Sequence, residues 1–209
     1  MIRFTAMLFL TMLFTASLPA AAKVTPSERV KETVDRVLQV LRDEGLDRQD
    51  RRDRVKEIVR ERFDYESMSQ VILAANWRKA TKSQREQFIT LFRELLEQTY
   101  YSAMDSYNNQ SVRMGRERQK GKLANVLTFI VAANKELTVS YKLRYRNDDW
   151  LAYDVAVDGV SLVSNYRTSF RNLVKSKGMD GLLAELAEKV ATLKSNTRNS
   201  EQGTLPAEQ

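Results

Sequence analysis

The stretch WLAYDVAVDGVSLVSNYRTSF, residues 150–170, changes from the periodicity of a strand to that of a helix. Alternate residues of a strand share a face, and here that face is apolar; it contains Leu151, Tyr153, Val155 and Val157. After Gly159 the apolar residues recur at helical spacing; they are Val163, Tyr166, Phe170, Leu173 and Val174. A strand followed so closely by an amphipathic helix predicts two neighbouring apolar faces that can wall a core or a cavity.

The strands preceding this stretch predict an antiparallel sheet. Leu123–Val131 and Glu136–Tyr145 alternate in the strand manner, and Ser111–Arg116 is a weaker strand candidate. Polar turns at Gln119–Lys122 and Asn147–Asp149 separate them. Such short connections indicate a meander, so we expect an α+β fold with a twisted antiparallel sheet of about four strands packed against several helices.

Helices dominate the first half of the chain. Thr25 with Glu28, and Thr81 with Gln84, have the spacing of capping boxes, and Gly45 marks the end of the first helix. A charged helix is predicted from Asp47, a short one from Asp64, and the longest apolar stripe follows Thr81; it contains Phe88, Leu91, Phe92, Leu95, Leu96, Tyr100 and Met104. This long helix is expected to back the sheet. Near the other end, Gly178 is predicted to close one helix and Asp180 to begin the last.

The amino terminus has the three parts of a secretory signal peptide. Met1–Arg3 is positive, Phe4–Leu18 is largely apolar, and Ala20–Ala22 provides a small-residue cleavage site without a following Cys. An uncleaved membrane anchor is disfavoured because the apolar run is short for a span of about 20 residues. We therefore expect 1–22 to be a signal peptide, 23–194 a single domain in the periplasm, and 195–209 a disordered polar tail.

Composition excludes several chemistries. The chain contains no Cys and no His, which removes disulfides, thiol nucleophiles, imidazole bases and the usual zinc ligands, so no metal site is predicted. The formal net charge is +7 and falls by one when Arg3 is removed with the signal. An exported basic protein meets anionic headgroups and acidic protein surfaces, so nucleic acid is not expected as a partner.

Three blocks of residues carry a family resemblance that spans roughly Val30 to Val190. The first contains Phe63–Tyr65, Met68, Trp77–Thr81, Gln84, Arg85 and Phe88. The second contains Phe92, Leu95, Leu96, Thr99 and Tyr100, and the third contains Trp150, Tyr153–Val155, Gly159–Val163, Tyr166, Arg167 and Phe170. Together they resemble the MlaC-type periplasmic phospholipid-binding proteins, toluene-tolerance auxiliary components of an ABC transport system. Ala74 departs from the Gly usual in that family, and Lys82 from its frequent Pro.

The resemblance implies a carrier and not an enzyme. It implies a soluble monomer whose apolar pocket, between sheet and helices, holds phospholipid acyl chains as cargo, with no cofactor. It also implies a shuttle between an outer-membrane lipoprotein complex and an inner-membrane MCE-domain protein of an ABC transporter, with transient membrane-proximal contacts, that maintains outer-membrane lipid asymmetry. Hopanoid-associated members share much of the pattern, so another apolar ligand such as a hopanoid is the alternative.

Candidate site residues follow from the apolar stripes and the matched blocks. The expected lipid-binding residues are Phe92, Leu96, Tyr100, Leu127, Phe129, Val139, Tyr141, Tyr153, Val155, Tyr166 and Phe170. The expected headgroup or rim residues are Lys142, Arg144, Arg167 and Arg171, since guanidinium and ammonium groups bind phosphate. For any single apolar member, ordinary core packing is a better explanation than a pocket, and the prediction therefore concerns the set. Two other hypotheses remain open: an enzyme that acts on an apolar substrate through Asp154, and an interaction adaptor with a solid core.

Overall fold

The computed structural model describes residues 23–105, 107, 109–132 and 135–202, without side chains for 101–105 and 200–202. The predicted signal peptide lies outside this part of the chain. The helices are α1 Pro26–Arg42, α2 Arg48–Arg62, α3 Tyr65–Leu73, α4 Ala75–Lys79, α5 Lys82–Asp105 and α6 Leu162–Gln202. The strands are β1 Ser111–Lys120, β2 Leu123–Ala132, β3 Lys135–Arg146, β4 Asp149–Val157 and β5 Val160–Ser161. The predicted α+β class is confirmed.

The five strands form one antiparallel sheet in the order β1-β2-β3-β4-β5, which confirms the meander. The two-residue β5 adds a short strand to the four that the sequence predicts. The weak candidate β1 is longer than expected and continues to Lys120, with a bulge between Met114 and Glu117. The bulge explains the weak signal, because an extra residue interrupts the alternation on which strand prediction depends.

Both predicted capping boxes are present. The Thr25 hydroxyl accepts a hydrogen bond from the Glu28 backbone N–H at 3.2 Å, and the Glu28 carboxylate accepts one from the Thr25 N–H at 2.8 Å. Thr81 and Gln84 make the equivalent exchange at 3.2 and 3.0 Å. These bonds satisfy backbone donors that have no partner inside the helix, and so they fix where α1 and α5 begin.

Two apolar clusters stabilise the fold. One lies between α1 and the inner face of the sheet; its buried members are Val30, Ala124, Val126, Leu143, Trp150 and Ala152. The other lies among α3, α5 and α6; its largest members include Met68, Phe88, Phe92, Phe170 and Leu182. Rings contact one another edge-on in this helical cluster, with centroids 5.7 Å apart for Phe88 and Phe170. The helical cluster is therefore closely packed.

The expectation that the long helix backs the sheet is wrong. The apolar stripe of α5 packs against α3 and α6, where Phe92 meets Tyr166 with ring centroids 5.4 Å apart. It is α1 that crosses β1 and β2 and covers the inner face of the sheet. Both helices are amphipathic, and amphipathicity alone does not identify the surface that a stripe covers.

Helix α6 breaks at Gly178, as predicted, where φ is 72° and ψ is −175°. The helix then continues to Gln202, so the disordered tail predicted from Ser195 is corrected to helix for 195–202. Contacts with α5 hold this polar segment: Lys194 Nζ lies 2.9 Å from Glu94 Oε2, and the Thr197 hydroxyl lies 3.3 Å from Gln98 Oε1. Residues 203–209 lie outside the described chain. Among the described residues, no helix combines the length and apolarity needed to cross a bilayer.

Candidate functional site

A wedge-shaped cleft separates α1 from the inner face of the sheet. Its narrow end encloses a cavity of about 40 Å³, lined by residues that include Val30, Val34, Phe63, Tyr141, Leu143 and Trp150. Ligand sites usually measure roughly 300–1,000 Å³, so this end of the cleft is nearly filled by side chains.

Burial decreases along the strands from one end of the cleft to the other. Val126 and Leu143, near the narrow end, are buried, whereas the inner-face residues at the opposite end are only half-buried; these are Val112, Ile130 and Leu137. The stripe of α1 shows the same gradient, since Val30 is buried and Val34, Val37, Leu38 and Leu41 are half-buried. Two apolar surfaces thus face each other and are incompletely covered at this wide end.

An open pocket of about 550 Å³ lies beside the second half of α1. Its described lining consists of Asp35, Leu38, Gln39, Arg42 and Asp43. Arg42 Nε donates a hydrogen bond to the Tyr107 hydroxyl at 3.0 Å, and that hydroxyl donates to the Gln110 carbonyl at 3.2 Å, just before β1. The pocket therefore lies on the exposed flank of α1, at the same end of the molecule as the wide end of the cleft, and its described lining includes no strand residue.

Hydrogen bonds close the narrow end. Asp149, at the start of β4, accepts hydrogen bonds from Arg29 of α1 at 2.7 Å and from Arg62 of α2 at 2.6 Å. Trp150 Nε1 donates to the Val24 carbonyl at 3.2 Å, and Glu117 of β1 accepts from the Ser27 N–H at 2.8 Å. The first turns of α1 are thereby fixed to the sheet, while its second half has looser packing.

Two polar side chains lie on the inner face within the cleft. Burial raises the pKa of Tyr141, and the nearby Thr128 hydroxyl partly opposes this rise. Thr128 is fully buried, and its Oγ1 has no hydrogen-bond partner of good geometry among the described residues. A buried hydroxyl in this position provides a polar atom in an otherwise apolar wall.

The structure distributes the predicted lipid-binding residues over several places. Val139, Tyr141 and Val155 share the inner face of the sheet. Leu127 and Phe129 alternate with inner-face residues and so lie on the outer face. The other members lie in or beside the helical cluster; they are Phe92, Leu96, Tyr153, Tyr166 and Phe170, with Tyr100 exposed at its edge.

The predicted rim cations lie away from the cleft. Lys142 Nζ contacts Asp154 at 2.9 Å on the outer face. Arg144 donates to the Ser67 hydroxyl at 3.1 Å, and its guanidinium lies 5.4 Å from the centre of the Tyr153 ring. Arg167 and Arg171 are exposed on α6. None of the four is among the residues that line the two cavities described above.

Asp154 is occupied by structural hydrogen bonds. Its carboxylate accepts from the Ser161 hydroxyl at 2.8 Å and from the Val163 N–H at 3.2 Å, in addition to the Lys142 contact. These bonds hold the first turn of α6 against β4. The geometry explains why a carboxylate is needed between the strand and the helix without assigning it a catalytic role.

The contribution of α1 to the site was not predicted from the sequence. The signal was present, because Val30, Val34, Leu38 and Leu41 recur at helical spacing. The cations at the cleft, Arg29, Arg42 and Arg62, were also missed. They lie in charge-rich helices where the sequence does not distinguish a solvated cation from one that lines a cleft.

Known proteins resemble this chain in sequence and in fold. The family model described as MlaC protein matches residues 31–188. An intermembrane phospholipid transport system binding protein MlaC from Haemophilus influenzae is 25% identical over 123 residues, covering 56% of this chain. The matched segment spans 58% of that relative, less than two thirds of its length. The toluene tolerance protein ttg2D of Pseudomonas putida is 28% identical over 147 residues, which cover 68% of each chain.

A solved structure has the same fold. It is a phospholipid-binding protein from Ralstonia solanacearum in complex with a phospholipid, 24% identical in sequence, with a TM-score of 0.74. The match covers 80% of this chain and 98% of the other. The family match extends over most of the described domain, including α1, the sheet and the helical cluster. The chain therefore belongs to the MlaC protein family.

Proposed function

We propose that this chain is a periplasmic carrier of phospholipid, and that acyl chains occupy the cleft between α1 and the inner face of the sheet. The observation that carries the proposal is the pair of incompletely covered apolar surfaces that face each other at the wide end, one on α1 and one on the sheet. The family membership and the names of the relatives support phospholipid as the cargo.

The energetics suit a carrier. Burial of one methylene contributes roughly 0.8 kcal/mol, so two chains of about 15 methylenes each gain on the order of 24 kcal/mol relative to water. A bilayer offers the same chains a similar apolar environment, so transfer between bilayer and cleft is nearly balanced. Loss into water is strongly opposed, and neither a nucleotide nor a metal is needed within this chain.

Loading requires α1 to move. The narrow cavity of about 40 Å³ is too small for an acyl chain, and we infer that the cleft widens as lipid enters by separation of the loosely packed second half of α1 from the sheet. The first turns of α1 are held through Ser27 and Arg29, and we infer that they act as the fixed end of this movement. The half-buried residues Leu38 and Leu41 would then contact lipid instead of solvent.

We further propose that the carrier shuttles between an inner-membrane MCE-domain protein of an ABC transporter and an outer-membrane lipoprotein complex, and so maintains outer-membrane lipid asymmetry. The predicted signal peptide and the relatives named for intermembrane phospholipid transport and toluene tolerance support this role. The proposal includes no catalysis, and the structural bonds of Asp154 support that view.

The test uses two neighbouring residues of β2 that point to opposite faces. Ile130 lies on the inner face at the wide end, and Val131 lies on the outer face. Ile130→Trp should fill the cleft and abolish phospholipid uptake from liposomes, measured by native mass spectrometry of delipidated mature protein. Val131→Trp adds the same ring outside the cleft and should bind lipid as the unmodified protein does.

Lipid uptake that is unchanged by Ile130→Trp would place the ligand elsewhere. Failure of the unmodified, delipidated protein to take up phospholipid would refute phospholipid as the cargo. A polycyclic lipid retained through purification, with no phospholipid, would favour a hopanoid-type ligand.

A further inference from the structure

A group of cations lies on the outer face of the sheet, near the turn between β1 and β2. Strand register places two rows side by side; they are Arg118–Asn125–Lys142 and Lys120–Leu123–Arg144. The rows are two residues apart on every strand, so all six side chains point to the same face and the rows are separated by about 7 Å. The inner-face neighbours Ala124, Val126 and Leu143 pack toward α1, which identifies this face as the outer one.

The cations on β1 and its turn are not neutralised. Arg116, Arg118, Lys120 and Lys122 are exposed, and none has an ion pair with any residue in the described part of the chain. Glu117 is the acidic residue among them, but its carboxylate accepts a hydrogen bond from the Ser27 N–H on the opposite side of the strand. The neighbouring β3 cations differ, since Lys142 pairs with Asp154 and Arg144 bonds to Ser67.

An exposed apolar residue lies within this group. Leu123 is 46% exposed and has Lys120 opposite it on one side and Arg144 on the other. Like charges close together on neighbouring strands oppose folding, and an exposed leucine adds no burial energy. A surface of this composition is better suited to binding than to stabilising the fold, because a partner with carboxylates would neutralise the cations and cover the leucine.

We propose that Arg116, Arg118, Lys120, Lys122 and Leu123, here named the hairpin patch, form the docking surface for an acidic face of a partner protein in the transport system. This inference rests on the proposed function, because it assigns a surface to one of the partners of the carrier. Arg side chains fit carboxylates through paired hydrogen bonds, and Leu123 provides the apolar centre that a desolvated contact needs.

The position of the hairpin patch favours a protein over a bilayer. The patch is on the outer face, near the narrow end of the cleft, whereas the open pocket is at the other end of the strands, beside α1. A bilayer bound at the patch would be separated from the open pocket by the sheet, so a lipid could not pass directly between them. A protein partner can bind the patch and still leave the wide end of the cleft accessible.

The experiment compares two double charge reversals. Arg118→Glu with Lys120→Glu alters the hairpin patch, and Lys175→Glu with Lys189→Glu changes the net charge equally on exposed positions of α6. Binding is measured by biolayer interferometry to the purified periplasmic domain of the MCE protein and to the purified outer-membrane lipoprotein complex of the same bacterium. Flotation with vesicles of phosphatidylethanolamine and phosphatidylglycerol tests the bilayer.

We expect the patch variant to bind one of the two partner proteins at least about tenfold more weakly, with unchanged lipid content by native mass spectrometry. The α6 variant should bind normally, and binding by the unmodified protein should weaken as salt rises. Glu→Lys substitutions in the acidic face of the partner should restore binding to the patch variant.

Equal binding by both variants would overturn the proposal. It would also be overturned if the unmodified protein bound neither of the two partner proteins. Patch-dependent flotation without patch-dependent protein binding would assign the surface to a bilayer and would also overturn it. The lipid content of the unmodified protein reports separately on the proposed function, so failure of one proposal is distinguishable from failure of the other.

Discussion

Arg29 of α1 and Asp149 of β4 are joined by a hydrogen bond of 2.7 Å between the guanidinium Nε and the carboxylate Oδ1. The other carboxylate oxygen accepts from Arg62 of α2 at 2.6 Å, so one acid joins two helices to the sheet. Each of the three side chains is at most one quarter exposed, which makes this contact less screened than a surface ion pair. Asp149 is therefore the residue that joins both α1 and α2 to the sheet at the narrow end of the cleft.

Asp149→Asn should lower the free energy of unfolding by about 1–3 kcal/mol, the usual cost of losing a charged hydrogen-bond acceptor. The amide keeps the shape of the side chain but removes the negative charge shared by Arg62 and Arg29, of which Arg29 keeps a second acidic partner in Glu32. Urea denaturation followed by circular dichroism measures the change. Asp148→Asn is the matched control, because Asp148 is exposed in the turn with φ of 58°, a conformation that Asn tolerates. Equal stability of the two variants would show that the contact contributes little.

The order of the sheet and most helix limits could be predicted because their causes are local. Alternation along β2 and β3, short turns between them and the capping boxes at Thr25 and Thr81 all act within a few residues. Asp154 illustrates the limit of such local signals. The sequence presents it as a lone acid beside tyrosines, and only the fold shows that the backbone and side chain of residues 161 and 163 occupy it.

The covering of the sheet could not be predicted because it depends on contacts between distant segments. The stripes of α1 and α5 are both apolar, and the sequence does not state which one packs on the sheet. Strand β2 has the apolar run Leu127–Val131, with Thr128 as its one polar residue. A run of this kind does not reveal which residues face inward, and so Leu127 and Phe129 were predicted for the pocket although they lie on the outer face.

Ala74 occupies a backbone conformation that favours glycine, with φ of 50° and ψ of −118°. It is exposed at the junction of α3 and α4, so a substitution there changes little packing. Ala74→Gly should raise the free energy of unfolding by about 1 kcal/mol, because relief of strain exceeds the entropic cost of glycine. Thermal unfolding measures the difference.

The control is Ala75→Gly, at the first residue of α4 and also exposed. It removes a methyl group without relieving a positive φ and should lower stability by up to about 1 kcal/mol. Destabilisation by both glycines would show that the backbone at Ala74 is not strained.

Gly115 lies in the β1 bulge beneath the Phe129 ring. A Cβ at this position would be 2.8 Å from Phe129 Cε2 and 3.0 Å from the Leu127 carbonyl oxygen. Gly115→Ala should therefore lower the free energy of unfolding by about 1–3 kcal/mol through overpacking. In a Phe129→Ala background part of that cost should disappear, because the ring is removed while the carbonyl remains. A double-mutant cycle in urea measures the coupling, and strict additivity would contradict a direct clash.

Two half-buried tyrosines, Tyr65 and Tyr141, should make the protein less stable in alkali. Burial is the main cause that raises the pKa of Tyr65, with the negative charge of Glu97 adding to it, and burial also raises the pKa of Tyr141. A phenol whose pKa is higher in the folded state binds more protons there than in the unfolded chain. Its contribution is fully present below the unfolded pKa of about 10 and is lost as pH rises above that value.

The free energy of unfolding should therefore fall as pH increases above about 10, and the double variant Tyr65→Phe with Tyr141→Phe should show a shallower fall. The control is the double variant Tyr107→Phe with Tyr145→Phe, which removes the same number of phenols. Urea unfolding at a series of alkaline pH values measures both slopes. The unmodified protein and the Tyr65/Tyr141 variant could instead lose stability equally steeply. That result would mean that the two hydroxyls ionise as readily in the folded protein as in the unfolded chain. It would also mean that water reaches Tyr141 at the narrow end of the cleft.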